Sequence, residues 1–227
     1  MRSSSYYKRL SASDVAYQEL KRAITEWEYA PGVQLVEENL SKKLEVSRTP
    51  LRQALYRLEL EGLIIRQPNG RMYVAPITVE EVEEIYKVRE VLEGLLAREA
   101  TPHITVENLQ RLEDILEMMR RSAEQNRNED TIKYGSSFHQ FLHDLSGNVT
   151  AKRFLEQLKS RIERYRRISG YNNPSYVPMR PVEEHQQILN ALSRGDPDEV
   201  EEAMRKHIRN SLSVAKETIE LYLKNEG

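Results

Sequence analysis

The sequence predicts a mainly α-helical protein in two parts: three helices closed by a β-hairpin, followed by an all-helical bundle of about six helices. Three observations carry this expectation. Apolar residues recur at i, i+3, i+4 and i+7 through most of the chain. Two short β-type runs flank Pro68-Asn69-Gly70-Arg71, and Asn-Gly is a strong hairpin signal. Beyond Pro76 the pattern is helical throughout, with starts and stops that can be named.

At 227 residues the chain has room for a large core and most naturally for two domains. It contains no cysteine, which excludes a disulfide framework, a cysteine-based zinc finger and a thiol nucleophile. Hydrophobic residues make up 39% and charged residues 31%, and no apolar run approaches the ~20 residues that span a bilayer. The N-terminus, Met1-Arg2-Ser3-Ser4-Ser5-Tyr6-Tyr7-Lys8-Arg9, is basic and lacks the apolar segment of a secretory signal, so a cytoplasmic location is expected.

The first helix is expected from Ser13 to Trp27, with Val15, Leu20, Ala23, Ile24 and Trp27 on its apolar face and Pro31-Gly32 as its stop. Val36 to Leu44 forms a support helix. Ser47 then stands as N-cap of a helix from Arg48 to Leu60, its hydroxyl placed to accept from first-turn amides, and Pro50 is tolerated there. Leu51, Ala54, Leu55 and Leu58 bury one face of this helix, leaving Arg48, Arg52 and Tyr56 on an outward stripe. Gly62 closes it, and Leu63–Gln67 and Met72–Ala75 form the hairpin.

This order defines a winged helix-turn-helix. A helix entering the major groove meets base edges with its N-terminal residues, and arginine can grip guanine O6 and N7 in a bidentate fork. Arg66 and Arg71 on the wing are placed for phosphates or a minor groove. Charge agrees in sign: residues 1–76 carry 12 Lys/Arg against 9 Asp/Glu, a balance of +3, whereas residues 77–227 carry 22 against 27, a balance of −5.

Pro76 marks the expected boundary between a DNA-binding domain, 1–76, and a second domain, 77–227. Thr78-Val79-Glu80-Glu81 has the spacing of a capping box. Helices are expected at about 78–100, 105–127, 129–145, 148–169, 181–194 and 197–224, with Thr105 and Asn148 as caps and Pro181 and Pro197 in first turns. Gly170 to Pro178 is expected to form a loop that could cover a pocket.

The chain resembles the GntR family of bacterial transcription regulators, in the branch named after the fatty-acid regulator FadR. The likeness rests on Leu44-Glu45-Val46-Ser47-Arg48-Thr49-Pro50-Leu51-Arg52-Gln53-Ala54-Leu55 and Leu58-Glu59-Leu60-Glu61-Gly62-Leu63 in the first half. In the second half it rests on Ile85 to Gly94, Phe138-His139, Ser146-Gly147-Asn148, Glu184-His185 and Arg205-Lys206-His207, which resemble the FCD effector domain. The resemblance implies a homodimer that binds a palindromic double-stranded operator, and a helical domain that binds a small carboxylate and thereby alters DNA affinity. It places Ser47, Arg48, Thr49 and Arg52 at the DNA, with Gly70 and Arg71 on the wing. Glu38 stands where family members can carry a DNA-contacting arginine, so base preference is expected to differ.

Five histidines are few enough to place one by one. His185 shares a stripe with Ile188, Leu189 and Leu192, and His207 with Val200, Met204 and Ile208, so both point inward. His139 lies partly toward the same interior, His143 is expected near the surface, and His103 reads as a connector. Three imidazoles with an open position suit zinc or a nickel-like divalent ion. The alternative is three polar core histidines, hydrogen-bonded or in direct contact with an anionic effector. Similar FCD domains bind a metal through positions matching His139, His185 and His207, helped by an aspartate whose position is Gly135 here. Arg89 and Glu93, four apart, make either a surface ion pair or a pocket in which Arg89 grips an effector carboxylate. The run Arg161, Arg164, Arg166, Arg167 is expected on a solvated or pocket-rim face, with Tyr165 beside it near the pocket.

The expected function is ligand-responsive transcription regulation without catalysis, most naturally repression. Two alternatives belong to other classes. One is a metal-dependent hydrolase using the three histidines with Glu183 or Glu184 as base; the other is a DNA-binding adaptor with no ligand.

Overall fold

The computed structural model describes residues 10–171 and 177–226. The chain divides into two compact units, residues 1–76 and 77–227.

The first unit comprises α1 (Ala12–Thr25), β1 (Gln34–Leu35), α2 (Glu37–Leu44), α3 (Arg48–Leu60), β2 (Ile64–Arg66) and β3 (Met72–Val74). Ser11 opens α1 with a capping box, its side chain accepting from the Asp14 amide while Asp14 answers to the Ser11 amide. Glu45 takes the left-handed conformation at the end of α2, and Gly62 does so just after α3, which turns the chain sharply at both places. Leu20, Ile24, Leu40, Leu51, Leu55, Leu58 and Leu63 form the core with Met72 and Val74 of the hairpin.

Ser47 is the N-cap residue of α3 by backbone, but its side chain makes no capping hydrogen bond, contrary to expectation. The sheet also has one strand more than the sequence shows. β1 pairs antiparallel with β3, which lies between β1 and β2. Two residues carry no alternation, so β1 leaves no periodic trace. Between β2 and β3 only Gly70 has positive φ, +80°. Asn69 uses its side chain instead, its Oδ1 accepting from the Arg71 amide at 3.0 Å.

The second unit is all helical: α4 (Val79–Ala100), a short 3₁₀ turn (Thr101–His103), α5 (Val106–Glu124), α6 (Asn128–Leu145), α7 (Val149–Tyr171), α8 (Met179–Arg194) and α9 (Pro197–Glu226). Thr105 and Asn148 cap as expected, accepting from the Asn108 and Ala151 amides. Thr78 accepts from the Glu81 amide at 3.1 Å. The Glu81 carboxylate does not return to close the box; it binds Arg161 and Tyr165 of α7 instead.

Gly94 lets α4 and α9 approach closely, because a Cβ there would lie 2.8 Å from Arg205 Cγ. The expected loop from Gly170 to Pro178 falls largely outside the described residues. Its first two residues continue α7.

Candidate functional site

In the first unit Ser47, Arg48, Thr49 and Arg52 are all exposed at the start of α3, and Gly70 and Arg71 are exposed on the wing. Arg48 and Arg71 make no ion pair with any described residue. Arg52 lies against Glu37 at the start of α2, its Nε reaching the two carboxylate oxygens at 2.9 and 3.2 Å. Its terminal nitrogens make no bond to a described residue. Arg66 is paired with Glu59 at 3.0 Å, so this wing arginine is less free than Arg71. Glu38 pairs with Lys42 at 2.7 Å across one turn of α2.

The second unit contains a cavity of about 180 Å³ that is partly open to solvent. Tyr86 and Arg89 of α4, Gly135 and His139 of α6, Arg166 of α7, His185 of α8 and His207 of α9 are among its lining residues. The apolar stripes of five helices thus turn a few polar residues toward one interior space. The three histidines are buried, and candidate ligand atoms of the trio lie within 4.8 Å of one another.

Each of these rings has its Nδ1 engaged outward. Nδ1 of His139 meets Glu93 Oε2 at 2.8 Å, Nδ1 of His207 meets Glu184 Oε2 at 2.7 Å, and Nδ1 of His185 meets the Pro181 carbonyl at 2.6 Å. A carbonyl and ionised carboxylates only accept, so Nδ1 carries the proton and Nε2 carries the lone pair. Burial lowers the pKa of all three rings. His207 and His139 deepen the shift at His185, His139 and Arg89 deepen it at His207, and Glu93 opposes it at His139. At neutral pH the trio is therefore uncharged, the state in which imidazole binds a metal.

The donor set fits a divalent metal. Nε2 of His139 and of His207 are 3.3 Å apart, and Nε2 of His185 is buried without a hydrogen-bond partner. Two nitrogens each ~2.1 Å from a tetrahedral zinc would stand about 3.4 Å apart. The carboxylates behind His139 and His207 match the outer hydrogen bonds that orient metal-bound histidines. His185 faces Gly135, where a Cβ would lie 3.6 Å from His185 Nε2 and 3.3 Å from Met119 Cε.

Arg89 is buried in the cavity wall, its Nε 3.0 Å from Glu93 Oε1, while its Nη2 is buried with no partner. The surface-pair reading of Arg89 and Glu93 therefore fails. Burial alone would raise the Glu93 pKa, but His139, His143 and Arg89 outweigh it and hold the carboxyl well below the usual range. His143, expected near the surface, is mostly buried and places Nε2 2.7 Å from Glu93 Oε2. It lies one turn beyond His139, and the matching spacing is the signal that could have placed it. Glu93, His139 and His143 form a second group able to hold a metal, but there Glu93 is already engaged by Arg89.

The arginine run on α7 is not a solvated face. Arg164 is buried, Arg161 binds Glu81, and Arg166 lines the cavity, donating to Ser136 Oγ at 2.8 Å. Burial and the nearby Arg89 both lower the Arg166 pKa. Tyr165 is buried and donates to Glu81 instead of lining the cavity. The pocket-rim alternative holds for Arg166, although four arginines within seven positions carry no apolar period to say which of them turns inward.

A winged helix-turn-helix that presents unpaired arginines, joined to a helical domain whose cavity holds buried histidines and arginines, defines the class of one-chain transcription regulators. Residues 12–74 match the family described as bacterial regulatory proteins, gntR family, and residues 84–210 match the FCD domain. The chain belongs to the GntR family of bacterial transcription regulators, and it is a DNA-binding protein, not an enzyme.

Over 194 residues it is 32% identical to the HTH-type transcriptional repressor RspR of Escherichia coli (strain K12), covering 85% of this chain and 84% of RspR. Over 206 residues it is 29% identical to the HTH-type transcriptional regulator YdhC of Bacillus subtilis (strain 168), covering 90% and 91%. The solved structure of E. coli McbR/YncC shares the fold with a TM-score of 0.74 and 22% identity, covering 92% of this chain and 99% of that one. No helix among the described residues is long and apolar enough to cross a membrane.

Proposed function

We propose that this chain is a homodimeric, metal-assisted sensor of a small carboxylate that represses transcription from a palindromic operator. The observation that carries the sensing half is that candidate ligand atoms of His139, His185 and His207 lie within 4.8 Å of one another in a cavity whose lining includes Arg89, its Nη2 unpartnered. His139, His185 and His207 hold the metal, and Arg89 holds the acid through its planar fork. When bound, the metal supplies a Lewis-acidic anchor for a carboxylate oxygen. The chain's own groups orient the rings through Glu93, Glu184 and Pro181. Nothing in the arrangement calls for turnover.

At the DNA, Arg48 and Arg52 contact base edges, Ser47 and Thr49 contact phosphates, and Gly70 and Arg71 approach the backbone from the wing. Two such helices in a dimer meet half-sites ~34–36 Å apart or at multiples of that spacing. Val88 and Val91, exposed on α4, support self-association. The effector need shift DNA affinity by only about 1–3 kcal/mol to change occupancy several-fold or more. A relative named as a repressor, RspR, supports the sign. The experiment is selection of bound sequences from random duplex DNA, repeated with divalent metal and a panel of organic acids. A palindromic consensus released by one acid supports the reading, whereas DNA binding indifferent to every acid and to chelator leaves only the adaptor.

A further inference from the structure

One carboxylate near the start of the second unit departs from the local rule for its position. Glu81 stands where a capping box would return its side chain to the Thr78 amide, yet its two oxygens go to residues of α7 that lie 80 and 84 positions further along the chain. Oε1 accepts from Nε of Arg161 at 2.9 Å and from its Nη2, and Oε2 accepts from the Tyr165 hydroxyl. Arg161 and Tyr165 are four apart and so share one face of α7. Arg166, the next residue, lies about 100° further round the helix and lines the cavity, where it donates to Ser136 Oγ of α6 at 2.8 Å. The same stretch of α7 therefore carries a cavity group on one face and the anchor of α4 on another.

Resting on the reading of the cavity as an effector site, we infer that Glu81 is a positioning residue that couples the cavity to DNA affinity, by clasping the Arg161–Tyr165 turn of α7 to the first turn of α4. Pro76 is the last residue of the first unit, and the first turn of α4 is where the chain re-enters regular structure after the wing. A guest that draws on Arg166 displaces its turn of α7, and the clasp passes that displacement to the start of α4. Bonds between a guanidinium and a carboxylate are roughly twice as strong as neutral ones. Tyr165 and the neighbouring Arg164 are buried and the Glu81 side chain is mostly so, which leaves the clasp little screened by salt. Glu83 offers the contrast within the same helix: its pair with Lys216 of α9 is about one-third exposed on both sides, where an ion pair contributes little. α4 also lines the cavity directly through Tyr86 and Arg89, so a push on those residues is the competing route, and it does not need the clasp.

The test measures operator affinity of the full chain with and without saturating zinc, on a duplex selected from random DNA, for the wild type, Tyr165→Phe and Glu83→Gln. Zinc affinity and melting temperature are measured alongside. Tyr165→Phe removes the hydroxyl that reaches Glu81 and leaves every charge in place. Arg161→Gln breaks the other arm of the clasp at a partly exposed position and repeats the test if Tyr165→Phe does not fold. Zinc should shift wild-type operator affinity about fivefold or more, and operator DNA should shift zinc affinity by the same factor. In Tyr165→Phe both shifts should shrink toward none while zinc affinity without DNA stays as in the wild type, and Glu83→Gln should respond as the wild type does. A purely structural role would lower the melting temperature and leave the two shifts intact. Shifts of wild-type size in Tyr165→Phe therefore overturn the inference and leave the direct route through Tyr86 and Arg89, and shifts lost equally in Glu83→Gln overturn it in favour of the first turns of α4 at large. Wild-type operator affinity that zinc leaves unchanged overturns the ligand-responsive reading, and the inference with it.

Discussion

Nε2 of His139 faces Nε2 of His207 at 3.3 Å, and the hydrogen bonds on the far sides of the two rings leave neither nitrogen a proton to share. Two acceptors at that distance repel each other. The arrangement would be relieved by a cation between them, and the third ring, His185, offers a candidate ligand atom within 4.8 Å of theirs and has an unpartnered Nε2. Equilibrium dialysis against zinc or nickel is therefore expected to load one ion per chain. His185→Ala should lower that affinity by well over tenfold, and a chelator should lower the melting temperature of the loaded protein by mass action. An unchanged affinity in His185→Ala would remove the trio as the binding site.

Glu184 sits behind His207, with Oε2 2.7 Å from Nδ1 and Oε1 2.8 Å from Asn210 Nδ2. Both of its oxygens are engaged within the protein, so its influence on metal is expected to pass through the ring it orients. Outer hydrogen-bond partners of metal-bound histidines contribute 10–100-fold to affinity. Glu184→Gln should weaken zinc binding within that range while His207 still ligates. A cobalt-substituted sample checks this directly, since its visible spectrum should keep its tetrahedral intensity but saturate at higher cobalt. Loss of binding comparable with His207→Ala would show that Glu184 is itself a ligand.

Acid should destabilise the metal-free protein. His185 and His207 have folded pKa values well below the ordinary 6.5, because burial disfavours the charged ring. Between the folded and unfolded values the unfolded chain binds more protons, so this contribution is full above about 6.5 and is lost as pH falls below it. Glu184, whose pKa burial raises, opposes the trend by taking up a proton in the folded state. Glu93, held low, adds to the loss only below its ordinary 4.5. The melting temperature of chelator-treated protein should drop by several degrees between pH 7.5 and 5.5, and a flat profile would show that the rings are not buried in neutral form.

How far the fold could be read from the sequence varies with the length of the element. α3 was legible because Leu51, Ala54, Leu55 and Leu58 all point one way, and the structure buries all four. β1 was not, since Gln34-Leu35 is too short to show a period. In the site, His139, His185 and His207 were legible as inward-facing because apolar neighbours share their stripes, and all three line one cavity. His143 was not, and Arg166 only as one of a run on a solvated or pocket-rim face, because a charged side chain at a helical position looks the same whether it meets solvent or a buried partner supplied by a distant helix. Glu93 is that partner for His143, fifty residues away in sequence. The Ser47 cap shows the opposite error, a local rule that identified the position correctly but not the bond.

The pairing of Arg52 with Glu37 sets up the last prediction. Glu37 is only partly exposed and holds the Nε edge of Arg52, at 2.9 Å, while the two terminal nitrogens are left for a base. A bidentate arginine–guanine contact contributes about 1–3 kcal/mol of discrimination. Arg52→Ala should therefore lose that much operator affinity and relax base preference at one position of each half-site, with no more effect on the melting temperature than loss of the Glu37 pair brings. Glu37→Gln removes an ion pair on a partly exposed surface, which is worth at most about 1 kcal/mol to stability. Its effect on DNA is the sharper measurement. If Glu37 orients the fork, Glu37→Gln should weaken the specific operator more than a random duplex. If Glu37 only neutralises Arg52, the same change should strengthen binding to both duplexes alike and steepen the salt dependence, as one more positive charge becomes available to phosphates. Operator and random-sequence affinities measured at two salt concentrations separate the two outcomes, and an Arg52→Ala protein with undiminished operator affinity would dismiss the base contact for both.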